Sequence, residues 1–410
     1  MLVAVNGQDG TAALRMAQLL AAPTGAEVTI FSAIEPDVTI AMQPHIGLLT
    51  PEYEELRTDA RRDAVRRQIR DAFGGPVAWP MEVVVGPAPA AINAAAQRHG
   101  ASLIIMGRGR HDPVARLLAG ETVLRTVRRS DRPVLAVADD LQARPRVAVV
   151  GMDFSPSSIA AARCALDIVD EHATVYLVHV WSRSASDHPS ERARDEAYEA
   201  QLPELFSRAI DLLDAPAGVT VKPVTLLGAP AKEILWFAES QGADLIAAGK
   251  QGHGFFERLL VGSVTTRLLR AAASSVLVTP LPPIAEADEL SRRLTGSSMS
   301  TTPDEWIVQL DGFSRRNHGR RVVLEIDDPS VGGQAQVTGY ALLGAVYDHR
   351  DHRVQLMLGN PVDQTRYLTH MIEHVNSVIV RTDREGHDVA LQVMHEGGSA
   401  QLTFLPTDAR

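Results

Sequence analysis

Four residues past the middle of the chain have types and a spacing suited to gripping phosphate: Gly249-x2-Gly252-x9-Gly262-Ser263, in the stretch GKQGHGFFERLLVGSV. Glycine lets a backbone bend freely and come close to a ligand. Gly262-Ser263 opens a helical pattern, SVTTRLLRAAA. The first turn of a helix offers an anion unpaired N–H groups and the positive end of the dipole. Ser263 and Thr265 add hydroxyls there, with Val264 between them. Lys250 and Arg258 bring charge to the stretch, although a solvated surface role is expected for both. The spacing is not that of a Walker loop, since no GKS or GKT follows. Nor is it the GxGxxG dinucleotide turn, which follows a first strand.

An earlier stretch, GRGRHDPVARLLAGET (Gly107–Thr122), has the same length and rhythm, but Arg110 and Glu121 stand where the later one has Gly252 and Ser263. Each later residue lies 142 positions after its counterpart. The same offset relates VVVGPAPAAI to TLLGAPAKEI and RPVLAVADD to SSVLVTPLP, while the openings MLVAVNGQDG and RVAVVGMDFS match with a slightly different one. Residues 1–140 and 145–282 are therefore two copies of one unit. Each alternates apolar runs with helical patterns. In the second copy, Ser155 is placed to cap a helix that has Pro156 at its first position. This order predicts an α/β fold, a doubly wound parallel sheet with helices on both faces. Ligands in such sheets sit beyond the carboxyl ends of the strands, where strand order reverses. Gly249 ends the fourth strand there.

On these motifs, residues 1–282 resemble a tandem universal stress protein. The second copy is similar to the ATP-binding branch through Gly249, Gly252, Gly262 and Ser263. The resemblance implies that Asp153, in GMDFSPSS, lies near adenine and ribose, and that Val180, in LVHV, lines the adenine pocket. It also implies two five-stranded sheets of order 3-2-1-4-5, paired through their fifth strands, here Pro133–Val137 and Ser275–Thr279. ATP with Mg²⁺ and a sensing or regulatory role in stress response come from the same resemblance. The first copy departs from the pattern. Asn6 stands at the Asp153 position, and Arg110 adds bulk where close backbone approach is needed. Glu121 puts a carboxylate at the phosphate position, where two like charges ~4 Å apart repel by about 4 kcal/mol at an effective dielectric of about 20. Arg108 and Arg110 stand near enough in sequence to soften that charge. The first copy is thus expected to complete an internal pair and to bind no ATP. No general base, dyad or activated nucleophile is apparent, so any hydrolysis or autophosphorylation is expected to be slow. The alternative function is a nucleotide-free scaffold of two paired sheets. An ATP-using transferase lacks its signature; HIGL (His45–Leu48) only approaches HIGH and follows the second strand instead of the first.

Residues 283–303 are polar and rich in Ser and Thr, as linkers are. Beyond them, residues 304–410 break into short apolar runs separated by turn residues, which predicts a small all-β domain, a barrel or sandwich. Its opening resembles a bacterial family of small domains of unknown function through Trp306, Phe313-Ser314-Arg315-Arg316 and Gly319. RRNHGRR looks like a nucleic-acid patch, yet this third holds ten Arg against fifteen Asp or Glu, a net of −5. A protein partner is expected for it. HMIEH (His370–His374) fits the HxxEH zinc pattern, which needs a helix. Its neighbours favour a strand, where four residues span ~13 Å, too far for one zinc with ligands at ~2 Å. DHRDH (Asp348–His352) reads as an exposed turn.

The formal net charge of −10 argues against nucleic-acid binding. No apolar run reaches the ~20 residues of a membrane span. The opening MLVAVNG reads as a strand, leaving no room for a signal peptide. The single cysteine, Cys164, allows no internal disulfide and reads as a small core hydrophobe. A cytoplasmic location is the resulting expectation.

Overall fold

A computed structural model describes the chain apart from residues 8–10, 36–50, 109–112, 184–188, 251–260, 296–297, 301–302, 329–332, 349–352, 360–366, 384–386, 397 and 406–410. Gly252, Arg110, Arg258, His45–Leu48 and most of the 348–352 turn lie outside the described residues. The chain divides into two compact units. One comprises Met1–Arg183, Leu213–Gly252 and Leu259–Pro282; the other comprises Ser184–Leu212, His253–Arg258 and Pro283–Arg410.

The first copy supplies β1 (Leu2–Ala4), α1 (Thr11–Thr24), β2 (Thr29–Ile34), α2 (Pro51–Phe73), β3 (Met81–Val85), α3 (Ala88–Arg98), β4 (Ile104–Gly107), α4 (Pro113–Arg129) and β5 (Val134–Val137). The second supplies β6 (Val147–Gly151), α5 (Pro156–Ile168), β7 (Thr174–Trp181), α6 (Pro189–Asp211), β8 (Thr220–Leu227), α7 (Pro230–Ser240), β9 (Leu245–Gly249), α8 (Ser263–Ala271) and β10 (Ser275–Thr279). Their strands form one ten-stranded sheet, β3-β2-β1-β4-β5-β10-β9-β6-β7-β8. Each half has the expected 3-2-1-4-5 order. The central strands are unbroken apolar runs, as parallel strands covered on both faces must be. The edge strand β8 alternates between exposed and half-buried positions.

The halves join where the fifth strands were expected to meet. β5 and β10 run antiparallel, with Val134 opposite Val278, Leu135 opposite Leu277 and Ala136 opposite Val276. These six side chains are at most 1 % exposed. Separating the copies would return them to water, at about 1.5–3 kcal/mol for each large one. Two cations lock the junction reciprocally. Arg108 follows the last residue of β4, and its guanidinium donates to the carbonyls of Leu269 (3.2 Å), Ala272 (2.6 Å) and Ser274 (2.7 Å), at the C-terminal end of α8. Lys250, its counterpart after β9, donates from Nζ to Arg128 O (2.8 Å) and Ser130 O (3.1 Å), at the end of α4. The last carbonyls of a helix lack intrahelical donors and carry the negative dipole end, so each copy's cation caps the other copy's last helix.

In the other unit α9 (Ile284–Thr295) and α10 (Pro303–Asn317) accompany an antiparallel eight-stranded sheet. Its strands are β11 (Ser298–Ser300), β12 (Arg321–Asp328), β13 (Gly333–Asp348), β14 (Arg353–Gly359), β15 (Tyr367–Ile372), β16 (Val375–Thr382), β17 (Asp388–His395) and β18 (Gly398–Phe404), in the order β11-β16-β17-β18-β12-β13-β14-β15. The described strands make one sheet, where a barrel or sandwich was expected. The 283–303 segment is also corrected: it contains α9, which buries Ala287, Leu290 and Leu294, and β11, which pairs with β16. Trp306 and Phe313, two residues that carried the second resemblance, lie in the core. Trp306 meets Tyr347 edge-on at 5.0 Å, and Phe313 packs on Phe404. Ser314 Oγ accepts from Ala345 N at 2.7 Å. Within the basic run, Arg316 Nε (2.9 Å) and Asn317 Nδ2 (2.5 Å) donate to the Asp388 carboxylate, while Arg320 donates to Asp388 O (2.7 Å). Three residues of RRNHGRR thus hold α10 to β17. His370 lies in β15 and His374 in the following turn at φ 51°, without the helical turn HxxEH chemistry requires.

Candidate functional site

The site residues expected in the second copy, Gly252 apart, lie at the carboxyl ends of adjacent strands. β6 lies between β9 and β7, so the chain reverses its order across the β6–β9 boundary. Asp153 follows β6, Val180 lies near the end of β7, Gly249 ends β9, and Gly262, Ser263, Val264 and Thr265 open α8.

A turn fixes Asp153. Its Oδ1 accepts from Ser155 N (3.0 Å) and Ser155 Oγ (2.6 Å). Ser155 also caps α5 in a capping box with Ser158, and Pro156 holds the first helical position, as expected. Between them Phe154 adopts φ 59°, a left-handed conformation that costs a side-chain-bearing residue about 1–2 kcal/mol. Burial and a ring contact with His179 at 4.9 Å hold it there. His179 itself is buried, and its Nδ1 lies 2.8 Å from Met152 O. Since a carbonyl only accepts, Nδ1 carries the proton. Burial lowers the His179 pKa, against the Met152 bond and the Asp153 charge, which raise it. Val180 is half-buried against the sheet core.

Gly249 and Thr265 do work within the fold. A Cβ on Gly249 would lie 2.7 Å from Ser157 Cβ, so glycine is needed there for α5 to cross the strand end. The Thr265 hydroxyl donates to Gly249 O at 2.7 Å, tying α8 to β9 in place of reaching a ligand. Lys250 is 5 % exposed, correcting the surface role expected for it, and burial lowers its pKa against the charge of Asp131.

The N-terminus of α8 is different. Gly262 is its N-cap and supplies no side chain, while its own N–H donates to Lys250 O at 2.9 Å. The first intrahelical bond runs from Thr266 N to Gly262 O. The amides of Ser263, Val264 and Thr265 therefore have no acceptor among the described residues, and Ser263 is exposed. Three adjacent N–H groups at the positive end of a helix are suited to an anion.

In the first copy the equivalent position is not a helix end. α4 starts at Pro113, so Gly120 and Glu121 lie inside the helix, with their amides engaged in its ladder. Glu121 bonds Arg125 at 3.2 Å and approaches Arg270 at 3.9 Å. The carboxylate expected at a phosphate position is thus an ion-pair partner on a helix face. Nor does Arg108 serve it, being committed to the α8 carbonyls. Strand register equates Asn6 with Asp153, since Val5 N donates to Phe31 O and Met152 N to Val178 O, both at 2.9 Å.

Residues 1–138 and 145–280 match the Universal stress protein family. The chain belongs to the universal stress protein family. Residues 299–409 match a family of unknown function (DUF5335). A universal stress protein of Mycolicibacterium smegmatis is 25% identical over 284 residues, 68% of this chain and 96% of that protein. Universal stress protein MJ0531 of Methanocaldococcus jannaschii is 35% identical over 138 residues, 33% of this chain and 81% of its own. A universal stress protein solved in complex with cAMP is 25% identical, covers 34% of this chain and 100% of its own, and has a TM-score of 0.27.

Within this stress-protein pair, sequence reasoning missed His179 and the Arg108–Lys250 junction. A signal for the first was present: His179 interrupts an otherwise apolar strand. For the second, two cations at equivalent positions directly after the fourth-strand glycines were the clue. Cys164, on α5, is partly buried. Burial, with the charge of Asp167, pushes its thiol up to about 12, so it stays protonated and unreactive. Among the described residues no helix is long and apolar enough to cross a membrane.

Proposed function

We propose that this universal stress protein binds one ATP, in its second copy, and acts as a sensing or regulatory protein in stress response. One observation carries the proposal: three adjacent amides without acceptors among the described residues open α8 beside the end of β9, while the first copy runs helix through the same position. Phosphates bind the amides of Ser263, Val264 and Thr265, with Gly252 in the preceding loop. The adenosine lies toward Asp153 and Val180, at the ends of the neighbouring strands β6 and β7, of which β6 borders the switch point. Asp153, oriented by Ser155, accepts hydroxyl groups of the ribose. Mg²⁺ neutralises the triphosphate. Mg²⁺ of a nucleotide is held chiefly by phosphate oxygens and water, and among the described residues no three His, Cys, Asp or Glu cluster.

A nucleotide-free scaffold is the second function, favoured by the structural employment of Gly249, Lys250 and Thr265. Residues 304–410 serve a protein partner in either case, consistent with their acidic balance.

Competition of ATP against a fluorescent adenine nucleotide tests the proposal. Asp153→Asn, which imports the first copy's residue, is expected to weaken ATP by about tenfold, the worth of one charge-assisted hydrogen bond. Absence of competition in the wild-type chain would leave the scaffold.

A further inference from the structure

The first copy keeps a crevice of its own. Beyond the ends of β1 and β2 lies a cavity of about 250 Å³, lined by Asn6, Ile34, Arg57, Ala60, Arg61 and Ala64. Arg57 and Arg61 stand one turn apart on α2, on the same helix face. Each is anchored to a strand end by one main-chain carbonyl: Arg57 donates to Glu35 O at 3.0 Å, and Arg61 donates to Asn6 O. A guanidinium has five N–H donors, so both retain donors beyond the anchor.

No described carboxylate lies within ion-pair distance of either guanidinium. Their neighbours on α2 differ: Arg62 pairs with Asp59 at 3.0 Å and Arg66 with Asp63 at 3.1 Å. Arg57 and Arg61 also repel each other. Burial and the charge of Arg57 together hold the Arg61 guanidinium below its usual range. Two cations held together at a cavity, with no ion-pair partner among the described residues, are suited to an anion, since a bound dianion would turn mutual repulsion into two charge-assisted forks.

We propose that this crevice binds a small organic dianion, a phosphate monoester or a dicarboxylate, between Arg57 and Arg61. The size supports a small molecule, because pockets that enclose drug-sized ligands run to about 300–1,000 Å³. A nucleoside triphosphate is disfavoured further because the position that opens α8 in the second copy is interior helix here. Ile34, Ala60 and Ala64 give the ligand's carbon atoms an apolar wall. The two copies would then divide their labour, one taking nucleotide and the other a small acid. This site does not depend on the nucleotide proposal.

Isothermal calorimetry of the full chain with glycerol 3-phosphate and, separately, succinate tests it. At least one probe should bind once per chain. Arg57→Gln and Arg61→Gln should each weaken that binding by about tenfold or more, a loss of about 1.4 kcal/mol. Arg62→Gln, on the same helix but in an exposed ion pair, should change it less than about twofold. Binding of glycerol 3-phosphate alone identifies the phosphate ester, and succinate alone the dicarboxylate. Each arginine variant is read separately, so loss of fold in one leaves the other informative. Binding of neither probe, or binding undiminished in a folded Arg57→Gln or Arg61→Gln variant, would overturn the proposal. ATP affinity should be unaffected by both substitutions, which separates this site from the one in the second copy.

Discussion

Ser263→Pro removes one of the three amides proposed to hold phosphate and should leave the helix standing. Ser263 is the first residue of α8. Proline is favoured at that position because the missing N–H is one that no intrahelical acceptor would have met, and its fixed φ suits the helix. The preceding residue must be extended, and Gly262 already is, at φ −55° and ψ 152°. The fold should therefore melt where the wild type melts, or slightly higher. Binding should suffer. An amide hydrogen bond to a charged oxygen is worth about 1.5–3 kcal/mol, which is roughly a 10- to 150-fold rise in Kd. Ser263→Ala is the control, since it keeps the amide and loses only the hydroxyl. Because the amide is kept, alanine should weaken binding less than proline does. Calorimetric titration with MgATP measures both, and circular dichroism on heating checks the fold. A folded proline variant that binds ATP as the wild type does would show that the phosphates do not use this helix end.

Three further outcomes follow from named contacts. Gly249→Ala should cost about 1–3 kcal/mol of stability through overpacking against Ser157, read as a lower denaturant midpoint. An unchanged midpoint would mean that α5 has room to move. Lys250→Met should strip donors from Arg128 O and Ser130 O and cost about 1–3 kcal/mol, and adding Arg108→Met should deepen the loss. Stability equal to wild type would reduce the reciprocal caps to surface decoration. His179 has a lowered pKa in the folded state, so the unfolded chain binds the extra proton first as pH falls below about 6.5. Its contribution to stability should be complete above that pH and decline between about 6.5 and the lower folded value. His179→Gln should flatten this slope, and an equally steep slope in the variant would assign the pH dependence to other groups.

Most of the sheet could be read from the chain because strand and helix periods agree locally with the packed result. LIIM, LIAA and VLV are continuous apolar runs, and such runs are stable only between two covering layers. The 142-residue offset then made one copy the template for the other. What the sequence concealed was mostly the product of distance. Nothing local marks Lys250 as buried, since its acceptors, Arg128 O and Ser130 O, come from the other copy. Thr265 and Gly249 looked like ligand groups because a hydroxyl and a glycine at a loop suit a phosphate as well as they suit a tight helix–strand crossing. The extension of α4 back to Pro113 was hidden because Gly120 suggested a break where the helix continues. In the last third, Trp306, Leu310 and Phe313 recur at helical spacing and announce α10. That signal was masked by the Ser/Thr-rich run before it and by the strong strand pattern after it. The Asn6 and Asp153 equivalence was read from a motif, and strand register supports it independently.

The account's central claim is that one copy has a phosphate-ready helix end and the other has replaced it with continuous helix. Titration calorimetry of the full chain with MgATP tests this most directly, because stoichiometry counts sites without presuming which residues form them. One ATP per chain is the predicted result, lost or strongly weakened in Ser263→Pro. Two per chain would contradict it by giving the first copy a working nucleotide site, and none would contradict it by leaving the α8 amides to some other anion.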